Sequence, residues 1–322
     1  MKKIKVFVAG IHFVGMQNFI SECAENLEFE FIPESALEYR IHECDVLIPA
    51  MTKISASLIE KASNLKLIHQ WGAGLDGVDI QAAKKKGIYV ANVPTANTGN
   101  AESVAEWSIM TAIALSRGFP YVQENVYNAV GWGCPVGISL IGKKALIVGF
   151  GGIGRAIAQR LKPFGMHLFA IKRNIDSKLS IEYKLDALDE LSNIENYLKI
   201  SDYVFLALPL NDSTQNLINT QNIFKFKKGA YLINPSRGGI IEKQALIEAL
   251  NKNYLGGVAL DVFWQEPPEK EEFFKLKNVI VTPHIAGVTD VSYKAIAFYV
   301  CENIKRVFSG EKPINCVNLS SD

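Results

Sequence analysis

The sequence predicts an α/β protein made of two doubly wound parallel-sheet domains. Three observations lead there. Short apolar runs rich in β-formers alternate with amphipathic stretches along most of the chain, the pattern of parallel strands joined by helical crossovers. One run, 145–148, breaks at Gly149-x-Gly151-x-x-Gly154, and helical spacing resumes at Ile153, Ile157, Ala158 and Leu161. At 322 residues the chain exceeds one typical domain, so two are expected.

Composition narrows the class. With 48% hydrophobic residues the chain can build a sizeable core, and a formal charge of +1 gives no reason to expect nucleic acid or an anionic membrane as partner. Cys23, Cys44, Cys134, Cys301 and Cys316 are scattered without a CxxC pair. That argues for a reduced compartment and against a metal site or a disulfide framework. The first ten residues have a faint signal-peptide look, but Lys5 and His12 interrupt it and the apolar core between them is too short. A first β-strand fits better. The most apolar helical stretch, 104–115, is too short to span a bilayer. A soluble cytoplasmic protein is expected.

In order, strands are expected at 4–9, 29–32, 46–48, 67–70 and 88–91, with helices at 56–62 and 80–86 among the amphipathic stretches between them. Just past the fourth strand lies the glycine-rich loop 72–77. Ligands of open α/β sheets bind beyond the carboxyl ends of strands, so this loop is placed to offer backbone N–H groups to an anion. The alternative is an ordinary glycine-rich turn. After a polar loop at 95–100, a long helix over 101–117 is apolar on most of its surface and must be buried, between domains or in a subunit interface. Residues 119–138 read as irregular around Trp132.

The run 145–148, the glycine loop, the helix and a second strand at 167–171 then form a βαβ unit. Gly149 allows the tight turn, Gly151 lets the backbone approach a pyrophosphate, and Gly154 lets helix and strand pack closely. The helix start adds free N–H groups and a positive dipole end. In this strand-to-helix context the spacing indicates a dinucleotide site. An NAD site normally places an acidic residue about 20 residues beyond the first glycine, on the ribose hydroxyls. Here the second strand ends in Lys172, Arg173 and Asn174. Two cations suit a 2′-phosphate and favour NADP, with NAD still open. The alternative is a pair of solvated residues at a strand end.

Further strands at 203–208, 230–234, 257–262 and 279–281 place Arg237, Asp261, Glu266 and His284 at or just past consecutive carboxyl ends. In this sheet type those ends share the ligand edge. Arg237 can grip a carboxylate and polarise an adjacent keto oxygen. His284 can give or take a proton near neutral pH, with Glu266 fixing the imidazole. Singly, Arg237 and Glu266 could be a surface pair, and a lone histidine is usually structural. His12, His42, His69 and His167 are assigned that structural role. A closing helix over 290–308 carries Ile296, Val300, Ile304 and Val307 on one face.

At these residues the chain resembles the D-isomer-specific 2-hydroxyacid dehydrogenases. The matching stretches are 72–79, 92–106, 149–154, 208–210, 234–238, 260–263 with Glu266 and Pro267, and 282–287. The resemblance implies a Rossmann dinucleotide-binding domain and a flavodoxin-like substrate domain. It implies Arg237, Glu266 and His284 as the catalytic set. Asp261 would meet the nicotinamide carboxamide, and the backbone at Ala73 and Gly74 would cradle the substrate carboxylate. Gly149, Phe150, Gly151, Gly152, Ile153, Gly154, Lys172, Arg173, Leu208 and Pro209 would line the dinucleotide. No metal is expected. The final helix would return to the first domain, so that 1–98 with 291–322 bind substrate and 99–290 bind the dinucleotide, across a cleft. Family dimers form around the helix near 101–117 and its following arm, so a homodimer is implied.

The sequence departs from the phosphoglycerate dehydrogenases in lacking arginine in the loop 49–53, and no regulatory domain is expected after residue 322. Formate dehydrogenases of the superfamily carry glutamine where Glu266 stands. The stretch 170–173 resembles the NADP-preferring branch of glyoxylate and hydroxypyruvate reductases. The expected function is hydride transfer between NADP(H) and a small 2-keto or D-2-hydroxy acid. The alternatives are an NAD-linked phosphoglycerate dehydrogenase and a cofactor-sensing binding protein of the same fold.

Overall fold

A computed structural model describes residues 3–10, 14–20, 26–94, 97–119 and 121–319. His12, Cys23 and positions 95–96 of the polar loop lie outside the described residues. The chain forms two compact units, residues 1–99 with 290–322 and residues 100–289.

The first unit holds β1 (Ile4–Ala9), β2 (Leu27–Ile32), β3 (Val46–Ile48), β4 (Leu67–His69) and β5 (Tyr89–Ala91). All pair in parallel, in the order β2-β1-β3-β4-β5. That is the flavodoxin-like order. The continuous apolar runs are explained by burial on both faces. Phe7, Leu47, Ile68 and Val90 join one apolar cluster, and their neighbours Val6, Val46, Leu67 and Ala91 join another. The second cluster takes in Ile296, Val300 and Ile304 of the closing helix Asp290–Phe308. Ser55 caps helix Ala56–Lys61, and Asp79 caps helix Ile80–Lys85 by accepting from Ala82 N at 2.9 Å.

The second unit holds β6 (Lys144–Val148), β7 (His167–Ile171), β8 (Ala187–Asp189), β9 (Tyr203–Leu206), β10 (Tyr231–Asn234), β11 (Gly257–Leu260) and β12 (Val279–Val281). The order is β12-β11-β10-β9-β6-β7-β8, all parallel. Around β6 this is the Rossmann order, lengthened by β12 at one edge. Strand order reverses between β6 and β9, the switch point where such sheets bind ligands.

Three expectations change in detail. Helix Asn100–Ser116 is buried, but it finds its cover within its own unit. Val104, Trp107, Ala112 and Leu115 pack in one cluster with Ala145 and Ile147 of β6 and Ile157 of helix Gly152–Leu161. The segment after it is not wholly irregular, since Val122–Tyr127 forms a short helix. Cys44, Cys134 and Cys316 are free thiols, whereas Cys301 is disulfide-bonded, against the expectation of reduced cysteines throughout. Among the described residues, no helix is long and apolar enough to cross a membrane.

Candidate active site

Each chemical side chain of the second unit stands in a loop that leaves a strand at its carboxyl end. The glycine loop follows β6. A Cβ on Gly154 would lie 2.1 Å from Gly149 O, so only glycine lets the helix start press against the turn. At Gly151 the opposite holds: no atom lies within 4 Å of the place a Cβ would take. Gly152, Ile153 and Gly154 open helix Gly152–Leu161, and first-turn N–H groups have no acceptor within their own helix. Room at Gly151 beside free N–H groups fits a dinucleotide pyrophosphate. Phe150 is 1% exposed and packs edge-on against Tyr183, so only its backbone faces the loop's outer side. A Cβ on Gly149 would come within 2.9 Å of Leu208 Cβ, which puts Leu208 beside this loop. Pro209, next in the same turn, is fixed through its carbonyl, which accepts from Thr214 Oγ1 at 2.7 Å.

Lys172 and Arg173 follow directly on β7, half-buried and exposed respectively. Among the described residues neither side chain forms an ion pair. The nearest strand-end carboxylate, Asp189 of the neighbouring β8, is already engaged. It accepts from Glu190 N at 2.7 Å, Asn193 Nδ2 at 2.9 Å and Tyr197 Oη at 3.0 Å. These donors hold its carboxyl below the usual carboxylate range.

The loops after β10, β11 and β12 bring the remaining residues together. Asn234 and Ser236 shape the first of them: Asn234 Nδ2 donates to Arg237 O at 2.9 Å, and Ser236 Oγ donates to Leu206 O at 2.6 Å. The half-buried Arg237 donates from Nη1 to Ser236 O at 2.7 Å. A Cβ on Gly238 would lie 2.1 Å from Phe263 C, so the arginine loop and the loop carrying Glu266 touch backbone to backbone. Trp264 Nε1 fastens the second loop by donating to Ile241 O at 2.6 Å.

Glu266 and His284 form a pair. Glu266 Oε2 meets His284 Nδ1 at 2.6 Å, and Glu266 Oε1 accepts from Phe263 N at 2.9 Å. The carboxylate is thus held at both oxygens, and the imidazole's Nε2 has no partner among the described residues. His284 has a φ of 55°, a left-handed conformation that costs a non-glycine residue on the order of 1–3 kcal/mol. Its own N–H holds it there by donating to Asp261 O at 2.9 Å. Asp261 is 1% exposed and organises this corner. Its carboxylate accepts from Thr282 Oγ1, from Ile285 N at 2.8 Å and from Ala286 N at 2.7 Å. Burial pushes the Asp261 carboxyl up, against the pull of those three donors.

Ala73 and Gly74 belong to the other unit, in the loop after β4. Asn92 Nδ2 donates to Ala73 O at 2.6 Å and Gln70 Nε2 donates to Gly74 O at 2.8 Å. Sequence reasoning passed over Gln70, Asn92, Thr282 and Trp264. An amide one residue past a buried strand and just before a glycine loop was the available signal for Gln70. Trp264 and Thr282 gave none, because their partners are distant in sequence.

Residues 109–286 match the family model for the D-isomer specific 2-hydroxyacid dehydrogenase NAD binding domain. The chain belongs to the D-isomer specific 2-hydroxyacid dehydrogenases. It is 37% identical to a glyoxylate reductase from Thermococcus litoralis, over 89% of this chain and 87% of that one. It is 35% identical to a D-3-phosphoglycerate dehydrogenase from Methanocaldococcus jannaschii, over 89% of this chain but only 54% of that one. Among solved structures, D-lactate dehydrogenase from Aquifex aeolicus, complexed with NAD and lactic acid, superposes with a TM-score of 0.84. It is 25% identical and covers 98% of this chain and 100% of its own. The protein is a hydride-transferring oxidoreductase that acts on a CH–OH group with a nicotinamide cofactor.

Proposed function

We propose that this protein is an NADPH-preferring reductase of a small 2-keto acid such as glyoxylate or hydroxypyruvate. One observation carries the cofactor choice: β7 runs directly into Lys172 and Arg173, in no ion pair among the described residues, while Asp189 on the adjacent strand is consumed by its own donors. The substrate class is supported by the likeness to glyoxylate reductase and by the loop 49–53, which carries no arginine for a phosphate.

When bound, the reduced nicotinamide supplies the hydride that adds to the keto carbon. Arg237 grips the carboxylate and polarises the keto oxygen through its planar fork. His284, oriented by Glu266 on Nδ1, donates a proton from Nε2 to that oxygen. Glu266 stabilises the imidazolium before that transfer, and the ring left neutral by it regains a proton at Nε2 from solvent. In reverse, Nε2 accepts the hydroxyl proton. Asp261 uses a remaining lone pair for the nicotinamide carboxamide, and the 149–154 loop with Leu208 and Pro209 lines the dinucleotide. The backbone at Ala73 and Gly74 cradles the substrate carboxylate. Residues 1–98 with 291–322 accordingly bind substrate, and 99–290 bind the cofactor.

Self-association as a homodimer fits the segment after helix Asn100–Ser116, where Tyr127, Trp132, Val136 and Ile141 are all more than three-quarters exposed. Apolar side chains displayed together in this way mark an interaction surface. Sedimentation as a monomer at micromolar concentration would count against it.

Turnover of glyoxylate, hydroxypyruvate, pyruvate and 3-phosphohydroxypyruvate with NADPH and with NADH tests the reading. The highest kcat/KM is expected for glyoxylate or hydroxypyruvate with NADPH. Preference for the phosphorylated acid with NADH would favour the phosphoglycerate dehydrogenase reading, which the 35% relative supports.

A further inference from the structure

In the loop after β4, the N–H groups of Ala73, Gly74 and Leu75 have no acceptor among the described residues. The carbonyls beside them are tied down. Gln70, 8% exposed, donates from Nε2 to Gly74 O at 2.8 Å and to Ala50 O at 3.0 Å, while its Oε1 accepts from Trp71 N at 2.9 Å. Asn92 donates from Nδ2 to Ala73 O at 2.6 Å, and its Oδ1 accepts from Asn315 Nδ2. Each amide is engaged at both ends, which fixes which way round it sits.

Peptide geometry turns these contacts into a direction. The Ala73–Gly74 and Gly74–Leu75 bonds are trans, so each N–H points away from the carbonyl that precedes it. Drawing Ala73 O toward Asn92 sends the Gly74 N–H the other way. Drawing Gly74 O toward Gln70 does the same for the Leu75 N–H. We propose that Gln70 and Asn92 are positioning residues that turn these two successive N–H groups toward the carboxylate of the 2-keto acid. The proposal rests on the reading of this loop as the carboxylate cradle. Without the amides either peptide can rotate and present a carbonyl oxygen, which repels a carboxylate. Gln70 also couples the cradle to the loop after β3 through Ala50, which has a left-handed φ of 50°.

The full chain carrying Gln70→Met, Asn92→Leu or the near-isosteric Asn92→Asp tests this, with KM and kcat for glyoxylate, KM for NADPH and Tm as readouts. Loss of an oriented donor to a charged group predicts a KM for glyoxylate about 10- to 100-fold higher. The expected kcat stays within about threefold and the KM for NADPH is unchanged, because neither amide touches the reacting carbon. Asn92→Asp keeps the side chain's size while turning the donor into a charged acceptor that repels Ala73 O, so it should raise KM even if Asn92→Leu fails to fold. Variants with a lowered Tm and a wild-type KM for glyoxylate would overturn the proposal. Gly74→Pro removes one cradle N–H directly and separates the two claims. A raised KM there with unaffected amide variants defeats the positioning role alone. An unchanged KM in Gly74→Pro defeats the cradle itself.

Discussion

The carboxyl edge of each sheet carries a histidine, and the two are used in opposite ways. His69 ends β4 with no exposure, its Nδ1 donating to Gln70 O at 2.9 Å and its Nε2 accepting from Asn303 Nδ2 at 2.8 Å. Both ring nitrogens are spent on neutral partners, and burial pushes its pKa down to about 4. His284 stands past β12 with one nitrogen on the Glu266 carboxylate and the other without a partner among the described residues. The first arrangement locks a neutral ring in place. The second gives the ring a counter-charge and a vacant nitrogen, which proton transfer requires. What separates them is the partner set, since both sit at strand ends of similar sheets. The rest of each edge follows suit. The first unit offers backbone N–H groups and amides, and the second offers Arg237, Asp261, Glu266 and Lys172.

Replacing each histidine sharpens the contrast most. His284→Ala is expected to lower kcat by ~10²–10⁴-fold while NADPH binding, followed by nicotinamide fluorescence, persists. His69→Gln should leave kcat within a few-fold and reduce Tm. If His284→Ala retained wild-type turnover, the proton donor would be another residue.

The second effect is on stability. With His69 titrating near pH 4 in the folded chain and near 6.5 in the unfolded one, the unfolded state binds the extra proton first as pH falls. The contribution of the neutral ring is therefore complete above pH ~6.5 and is lost as pH falls toward 4. The difference amounts to about 3 kcal/mol. Urea denaturation at pH 7 and pH 4.5 checks this. The wild type should lose more stability between the two than His69→Gln does, because the other titrating groups are common to both. Equal losses would mean that the buried ring does not govern acid sensitivity.

How far the sequence foretold these edges depends on where the partners lie in the chain. Apolar runs made several strands legible: β1, β3, β7 and β12 begin and end where the runs do. The glycine loop was legible because its demands are local, with Gly154 meeting the Gly149 backbone. β8 was not. Ala187–Asp189 is a half-exposed edge strand of three residues without an apolar run. Within the site, residue types at strand ends pointed to Arg237, Glu266 and His284, and the family resemblance gave them roles. The restraints behind them could not be read. Gly238 against Phe263, Trp264 on Ile241 and Asn92 on Asn315 are long-range contacts that no local pattern encodes.

A smaller effect comes from keeping the shape of the His284 pair and removing its charge. Glu266→Gln can still meet Nδ1, and it no longer offsets an imidazolium. Hydrogen bonds to charged groups contribute ~1.5–3 kcal/mol, so kcat should fall by about 10- to 100-fold, with KM for NADPH unaltered. Steady-state kinetics with saturating cofactor measure it. A loss as deep as that of His284→Ala would show that Glu266 does more than support the ring.

The smallest effect concerns the far end of the cofactor and asks whether the charge of the second edge extends to β7. A carboxylate at this strand end would accept from the ribose hydroxyls of NAD and repel the 2′-phosphate of NADP, selecting by attraction and repulsion together. Here Lys172 and Arg173 take its place, and Asp189 is held by three donors of its own. One charge-assisted contact to a phosphate is worth ~1.5–3 kcal/mol, and each ~1.4 kcal/mol is tenfold. Salt screens an exposed site such as that of Arg173, so about tenfold preference for NADPH is expected at moderate ionic strength. Lys172→Asp should reverse it through KM for the cofactor, leaving kcat nearly unchanged because the adenine ribose is remote from the reacting carbon. The check is the ratio of kcat/KM for NADPH and NADH in both proteins at low and moderate salt. Equal values in the wild type, and a ratio that Lys172→Asp does not move, would reduce the two cations to solvated residues at a strand end.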